Sequence, residues 1–266
     1  MNFKSIADAK RQTGLSYLGS TGVSAKLIKN EIKNNTLTYC IYLAPANTSG
    51  YNVCTASTPE CRKGCLATSG RAKIEKYSGL NRIENARITK SKLFFEEQEF
   101  FMQWLIAEIN LSIEKAIKKN MDFAVRLNGT SDIDWANVHY DGKNIFEHFP
   151  HVQFYDYTKN PKYFINKPSN YHLTLSYTGK NWLACKYVLA KGHNVAMVFN
   201  ISPKEPMPVK YRQYTVVNGD LTDLRSADSS GVIVGLSWKN ITDKKVNEEV
   251  KNSIFVVQKD DSFVKF

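Results

Sequence analysis

Short apolar runs recur along most of the chain, each bounded by polar or glycine-rich stretches. The first, TLTYCIYLAP (36–45), is β-branched and aromatic, and Pro45 with the following Ala-Asn-Thr-Ser-Gly closes it, so it predicts a strand. Over residues 80–119 the period changes. Phe101, Leu105, Ile109, Ile113 and Ile117 recur at four-residue steps, which predicts helix, with Asn120 as its terminator. About forty residues exceed an ordinary globular helix, so two are expected, with a break near Glu96–Glu99. Further runs follow at 123–128, 152–158, 171–178, 194–200, 214–220, 232–238 and 253–258; with 36–43 they make eight candidate strands. The spacer NWLACKYVLAKG (181–192) reads as helix with Gly192 as a stop signal, whereas 160–170 and 201–213 are short. Strands alternating with helical spacers imply a parallel sheet. Eight of them suggest an α/β fold of the (β/α)8 TIM-barrel-like type with some degenerate crossovers. An open doubly wound sheet is the alternative, with 253–258 as a candidate edge strand. No repeat or low-complexity linker divides the chain. A single domain is therefore expected over 1–266, with 1–35 a preface and 36–258 the barrel core.

Most apolar runs end in a burst of polar residues. Arg126, Asn128 and Asp132 follow the second run, Tyr157 and Lys159 the third, Asp220 and Arg225 the sixth, and Trp238 and Lys239 the seventh. In a parallel sheet these ends share one edge, where ligand and catalytic residues gather. Turns are polar for their own reasons, so no single residue here is diagnostic. Several charges converging on one mouth, however, need pairing or a ligand. Arg126, Asn128 and Tyr157 are candidate ligand-binding residues, and Asp132, Lys159, Asp220 and Arg225 candidate catalytic ones.

Composition narrows the setting. A hydrophobic fraction of 42% with 12% aromatics indicates a folded chain of 266 residues. The formal net charge of +11 makes nucleic acid or a small anionic ligand a candidate partner, although the basic residues are scattered. No stretch approaches a transmembrane helix and the start lacks a signal-peptide core, so no membrane partner is expected and a cytosolic setting is. There, cysteines are usually reduced, catalytic or metal-bound.

That expectation bears on VCTASTPECRKGCLATSGR (53–71), which holds three of the chain's five cysteines: Cys54, Cys61 and Cys65. Thiolates bind soft or borderline metals, so zinc and an iron–sulfur cluster are the options. The loop lacks paired zinc knuckles, and the five histidines all come far later, from His139 on. Three cysteines just after a first parallel strand suit a [4Fe–4S] cluster, which takes four ligands and would keep one iron open. Arg62, Lys63 and Arg71 are placed to offset its charge, and Gly64 and Gly70 to admit backbone close to sulfur. Cys40 in a strand and Cys185 on an apolar helix face read as buried thiols, with either open as a fourth ligand.

The order of first strand, three-cysteine loop, helix and βα series resembles the radical S-adenosylmethionine barrel architecture, which implies a cluster with S-adenosylmethionine on its open iron. The spacing differs, with six and three intervening residues in place of three and two, and Gly64 stands where that family commonly has an aromatic. Closer is the resemblance of C…TPEC…GC…SGR, RLNGTSDIDW, FYDYTKNP, LSYTGKN and NGDLTDLRSADSSGVIVGL to the bacteriophage gene-product-88-like proteins. It spans roughly residues 36–240 and implies viral origin, a cysteine-ligated cluster and no established reaction. The expectation is a phage protein of the infected cell's cytoplasm, or associated with the virion. Three roles stay open for it: redox or Lewis-acid chemistry on a small polar ligand, radical chemistry, or a non-catalytic virion or nucleic-acid-associated protein with a structural metal.

Overall fold

The computed structural model describes residues 1–22, 24–65, 81–241 and 243–266. The end of the cysteine loop, with Gly70 and Arg71, and the first residue of the 80–119 helix lie outside the described residues.

Helix α1 (Ile6–Thr13) and strand β1 (Gly19–Thr21) open the chain, and α2 (Ala25–Asn34) leads into β2 (Thr36–Ile41). Ser5 and Ser24 cap the two helices with their hydroxyls. The preface is thus built into the fold, with β1 pairing antiparallel to β2. A short α3 (Pro59–Lys63) follows, capped by Thr58. The long helical stretch is two helices, α4 (Arg82–Glu96) and α5 (Gln98–Lys118), broken at Glu97 as the pattern predicts. The apolar stripe on α5 is buried only as far as Ile109, and Ile117 is 71% exposed. Then come β3 (Asp122–Arg126), a hairpin of β4 (His139–Tyr140) and β5 (Lys143–Asn144), and α6 (Ile145–His148). They are followed by β6 (Gln153–Thr158), β7 (Tyr171–Ser176), α7 (Trp182–Ala190) and β8 (Asn194–Phe199). The chain ends with β9 (Lys210–Tyr211), β10 (Tyr214–Asn218), β11 (Ile233–Ser237), α8 (Lys244–Lys251), β12 (Val256–Val257) and β13 (Val264–Lys265).

The expected (β/α)8 TIM barrel is not what forms. Among the described residues the main sheet has 11 strands, with path β1-β2-β3-β6-β7-β8-β11-β10-β9-β13, and no pairing joins its two ends. Strands β2, β3, β6, β7, β8, β11 and β10 run parallel, while β1, β9 and β13 are antiparallel additions. Strand β11 lies between β8 and β10, so the sixth and seventh runs are exchanged relative to barrel order. The eighth run supplies only Val256–Val257, parallel to Val198 and Phe199 of β8 beyond the point where β7 stops pairing. The mixed sheet is nearer the open alternative.

Its two faces differ in chemistry because side chains alternate along each strand. One face presents Val125, Leu127, Phe154, Leu173 and Leu175, which pack with Trp104 and Leu105 of α5 or with Val188 of α7 to form the apolar core. The other presents Thr38, Cys40, Arg126, Tyr155, Tyr157, Thr174 and Asn194, covered by α2 and by the segment after β10. There Asn30 of α2 donates to Thr38 Oγ1 (3.0 Å) and Tyr155 Oη (3.1 Å), and Leu224 packs on Ala124 and Tyr155.

Candidate functional site

The C-terminal ends of β3, β6, β7, β8 and β11 meet the cysteine loop around a cavity of about 230 Å³. Cys54, Cys61 and Cys65 line it together with Arg126, Asn128, Asp132, Tyr157 and Lys159. A larger depression, about 590 Å³, lies at the opposite ends of β2, β3 and β6; it carries His148 and His151 and no cysteine.

The loop after β3 builds one wall, and Asn128 organises it. Its Oδ1 accepts from Ser131 Oγ (2.7 Å), the Ile133 amide (3.0 Å) and Trp135 Nε1 (3.2 Å), while its Nδ2 donates to the Ile133 carbonyl. Asn128 therefore lines the cavity but spends its amide on the loop, and its role is positioning. Pairing of β3 with β6 ends at Val125 and Phe154. Beyond that point the Asp156 carboxylate accepts the freed amides of Leu127 (3.3 Å) and Asn128 (2.8 Å), holding the loop where the ladder stops. Burial pushes the Asp156 carboxyl up to about 7, against the pull of Arg126 and those amides.

Gly129 explains why the motif reads LNGTS. A Cβ there would overlap the Ile41 carbonyl and stand 2.8 Å from Tyr42 and 2.9 Å from Cys40 Sγ. Overpacking against backbone is relieved poorly, so Gly129→Ala is expected to destabilise the protein by about 1–3 kcal/mol in a thermal or urea melt. An unchanged midpoint would show that the loop can move away from β2.

The cysteine wall is tied to the same loop. The Asp132 amide donates to the Val53 carbonyl (2.8 Å), Cys54 Sγ lies 3.8 Å from the Thr130 carbonyl, and the Ala46 amide donates to Cys54 Sγ at 3.5 Å. Burial pushes the Cys54 thiol up to about 11; the Ala46 amide opposes this, while Asp132 and the other two loop cysteines add to it. Lys159 reaches Cys61. Burial disfavours its charge, but Cys61 and Asp132 outweigh that and raise its pKa. On the far side Gly64 sits against Val250 of α8 and Trp238, and Lys63 pairs with Glu249. Cys40 and Cys185 are fully buried and do not line the cavity, and burial pushes both thiols up to about 12.

A three-thiol set with an amide donating to one sulfur and an ammonium at another matches thiolate-ligated metals in donor chemistry. As the side chains stand, no three His, Cys, Asp or Glu among the described residues are grouped closely enough to hold a metal ion. Loading a metal would require the thiols to close in.

Charge gathers around this wall. Among the described residues, Lys26, Arg126, Lys159 and Lys239 line the cavity against the single carboxylate of Asp132. Asp223, one residue removed from the cavity lining, holds two of them: its carboxylate accepts Arg126 Nη1 at 2.7 Å and Lys26 Nζ at 3.2 Å. The Arg126 guanidinium also lies over the Tyr157 ring, 5.0 Å from its centre.

Two expected catalytic residues do not reach the cavity. Asp220 Oδ2 accepts from the Ser237 amide (2.8 Å) and hydroxyl (2.6 Å), tying the β10 loop to the end of β11. Arg225 is fully buried, donating to the carbonyls of Thr222 and Asp223 and lying 3.1 Å from Asp228. Lys26 was not legible as a site residue. The only signal is its position four residues before Asn30, the polar residue on the buried face of α2.

The profile of one protein family, described as gene product 88, matches residues 17–251. The chain belongs to the gene product 88 family. The match takes in the cysteine loop, every strand from β1 to β11 and α8, so the cavity of this gene product 88 protein lies within the family's span. No curated protein and no solved structure matches the chain. The likeness to radical S-adenosylmethionine proteins finds no support in these comparisons. No helix among the described residues is long and apolar enough to cross a membrane.

Proposed function

We propose that this gene product 88 protein carries a [4Fe–4S] cluster on Cys54, Cys61 and Cys65, and that the site acts on a small polar or anionic ligand. The observation that carries this reading is the sorting of the cysteines. The three from the loop line one cavity with Lys159 and Arg126, whereas Cys40 and Cys185 are fully buried and do not line it. Bound there, a cluster would supply redox or Lewis-acid chemistry at an iron lacking a cysteine. The protein's own contributions are distinct from it. Lys159 and the Ala46 amide would offset thiolate charge, and Arg126, held by Asp223 and stacked on Tyr157, would orient an anion. The cavity is below the usual range for drug-sized ligands, which favours a small molecule over a nucleic-acid strand or S-adenosylmethionine. We further propose a phage-encoded protein working in the infected cell's cytoplasm, which the family membership supports.

Anaerobic purification with visible and EPR spectra, and iron, sulfide and zinc analysis, tests the cluster. A brown protein with iron and sulfide in equal amounts is expected. A colourless, iron-free protein after anaerobic reconstitution overturns the reading, and zinc in its place would assign a zinc site. An EPR change on adding S-adenosylmethionine would restore radical chemistry.

A further inference from the structure

The cavity has a second chemistry besides sulfur. Three residues that line it each bury a polar atom without a hydrogen-bond partner: Arg126 its Nε, Tyr157 its Oη and Asp132 its Oδ1. Arg126 is 9% exposed, and its Nε is 3.9 Å from Asp156 Oδ1, beyond hydrogen-bond reach. Leaving such donors dry costs free energy unless a ligand or water accepts from them. Two of the three are donors, Arg126 Nε and the Tyr157 hydroxyl, and they belong to side chains that stack on one another. Lys26 and Lys239 line the same cavity and add positive charge to it. Oxygens of an anion would complete both donors.

The other side of the cavity is apolar. Val198 and Leu236, neighbours on β8 and β11, line it with Trp238 and Phe255. The Trp238 indole N–H is already taken by Asn247 Oδ1 at 3.2 Å, so its ring offers the cavity only surface. A free inorganic anion would leave this wall uncovered.

We propose that the cavity binds a small organic oxyanion. Its carboxylate or phosphate is held by Arg126 Nε and the Tyr157 hydroxyl within the field of Lys26 and Lys239. Its apolar body rests on Leu236, Val198 and Trp238. This deepens the ligand part of the proposed function and does not depend on the cluster.

Isothermal calorimetry with benzoate and phenyl phosphate as probes, and benzyl alcohol as the neutral control, tests it on the purified full chain and on its Cys54→Ser/Cys61→Ser/Cys65→Ser variant. One of the two anions is expected to bind both proteins, and which one does distinguishes carboxylate from phosphate. The discriminating variant is Tyr157→Phe, because the hydroxyl it removes has no protein partner. Its melting temperature should be unchanged or raised, while anion affinity falls about tenfold. The proposal is overturned if neither anion binds, if benzyl alcohol binds as tightly, or if Tyr157→Phe leaves affinity unchanged. Anion binding by a wild-type protein that stays iron-free after reconstitution would retire the cluster and keep the oxyanion site; iron without anion binding would do the reverse.

Discussion

Replacing Cys54, Cys61 and Cys65 together by serine should take the reconstituted protein from roughly four irons per chain to near zero and bleach its visible absorption. Each single substitution should remove most of the iron, because three ligands from one short loop leave no spare thiol. Cys40 on β2 is closed off by Gly129, and Cys185 lies on the buried face of α7, so neither can substitute without unpacking its surroundings. Cys185→Ala is therefore the matched control and should keep full iron content. Iron retained by the triple variant would place the metal elsewhere.

The same variant separates a working site from a staple. The main apolar cluster, built on Trp104, Leu105, Val125 and Phe154, lies on the sheet face away from the cavity and needs nothing from the cysteine loop. Loss of metal should leave the far-ultraviolet circular dichroism unchanged and melting cooperative. A protein that unfolds on losing its metal would instead mark a structural site of the kind small metallo-domains use.

How much of this was legible follows from what each feature depends on. Strand positions came from local apolar runs, and the break at Glu97 from helix length, so both match closely apart from the eighth run, which supplies only Val256–Val257. Strand order is set by long-range pairing. Nothing in residues 214–238 announces that β11 inserts between β8 and β10, and counting eight runs led to a barrel that does not close. The expected grouping of strand-end side chains did not depend on closure, because the ends of parallel strands share an edge whether or not the sheet closes. Arg126, Tyr157 and Lys159 meet the cysteines for that reason. Asp220 and Arg225 follow a strand end just as visibly, but their segment folds back over the sheet's polar face, where they are consumed as internal ties. Lys26 comes from a helix that carries no strand-end signal at all.

Asp223→Ala should cost about 3–5 kcal/mol and lower the melting temperature by roughly 10 °C, although the residue touches no ligand site directly. Its carboxylate is 1% exposed and takes both Arg126 and Lys26, so truncation leaves the buried Arg126 beside the partly exposed Lys26, with the Asp156 carboxylate, 3.9 Å from Arg126 Nε, as the remaining counter-charge. Its amide is also fixed, donating to Asn30 Oδ1 at 2.9 Å, which makes relaxation of the segment costly. Burial alone would push the Asp223 carboxyl up, but Arg126, Lys26 and Arg225 together hold it at about 2. A carboxyl depressed in the folded state stabilises fully above its unfolded value, near 4, and that contribution is lost as pH falls toward about 2. Urea melts of the wild type should show this loss across that window, and Asp223→Asn, which cannot titrate, should show less of it. A double-mutant cycle with Arg126→Met assigns the coupling to the pair. A cost under about 1 kcal/mol for Asp223→Ala would mean that water already screens the cluster as it does a surface ion pair. The anion site would then sit in a wet cleft, where the dry, unpartnered Nε of Arg126 could no longer be its anchor.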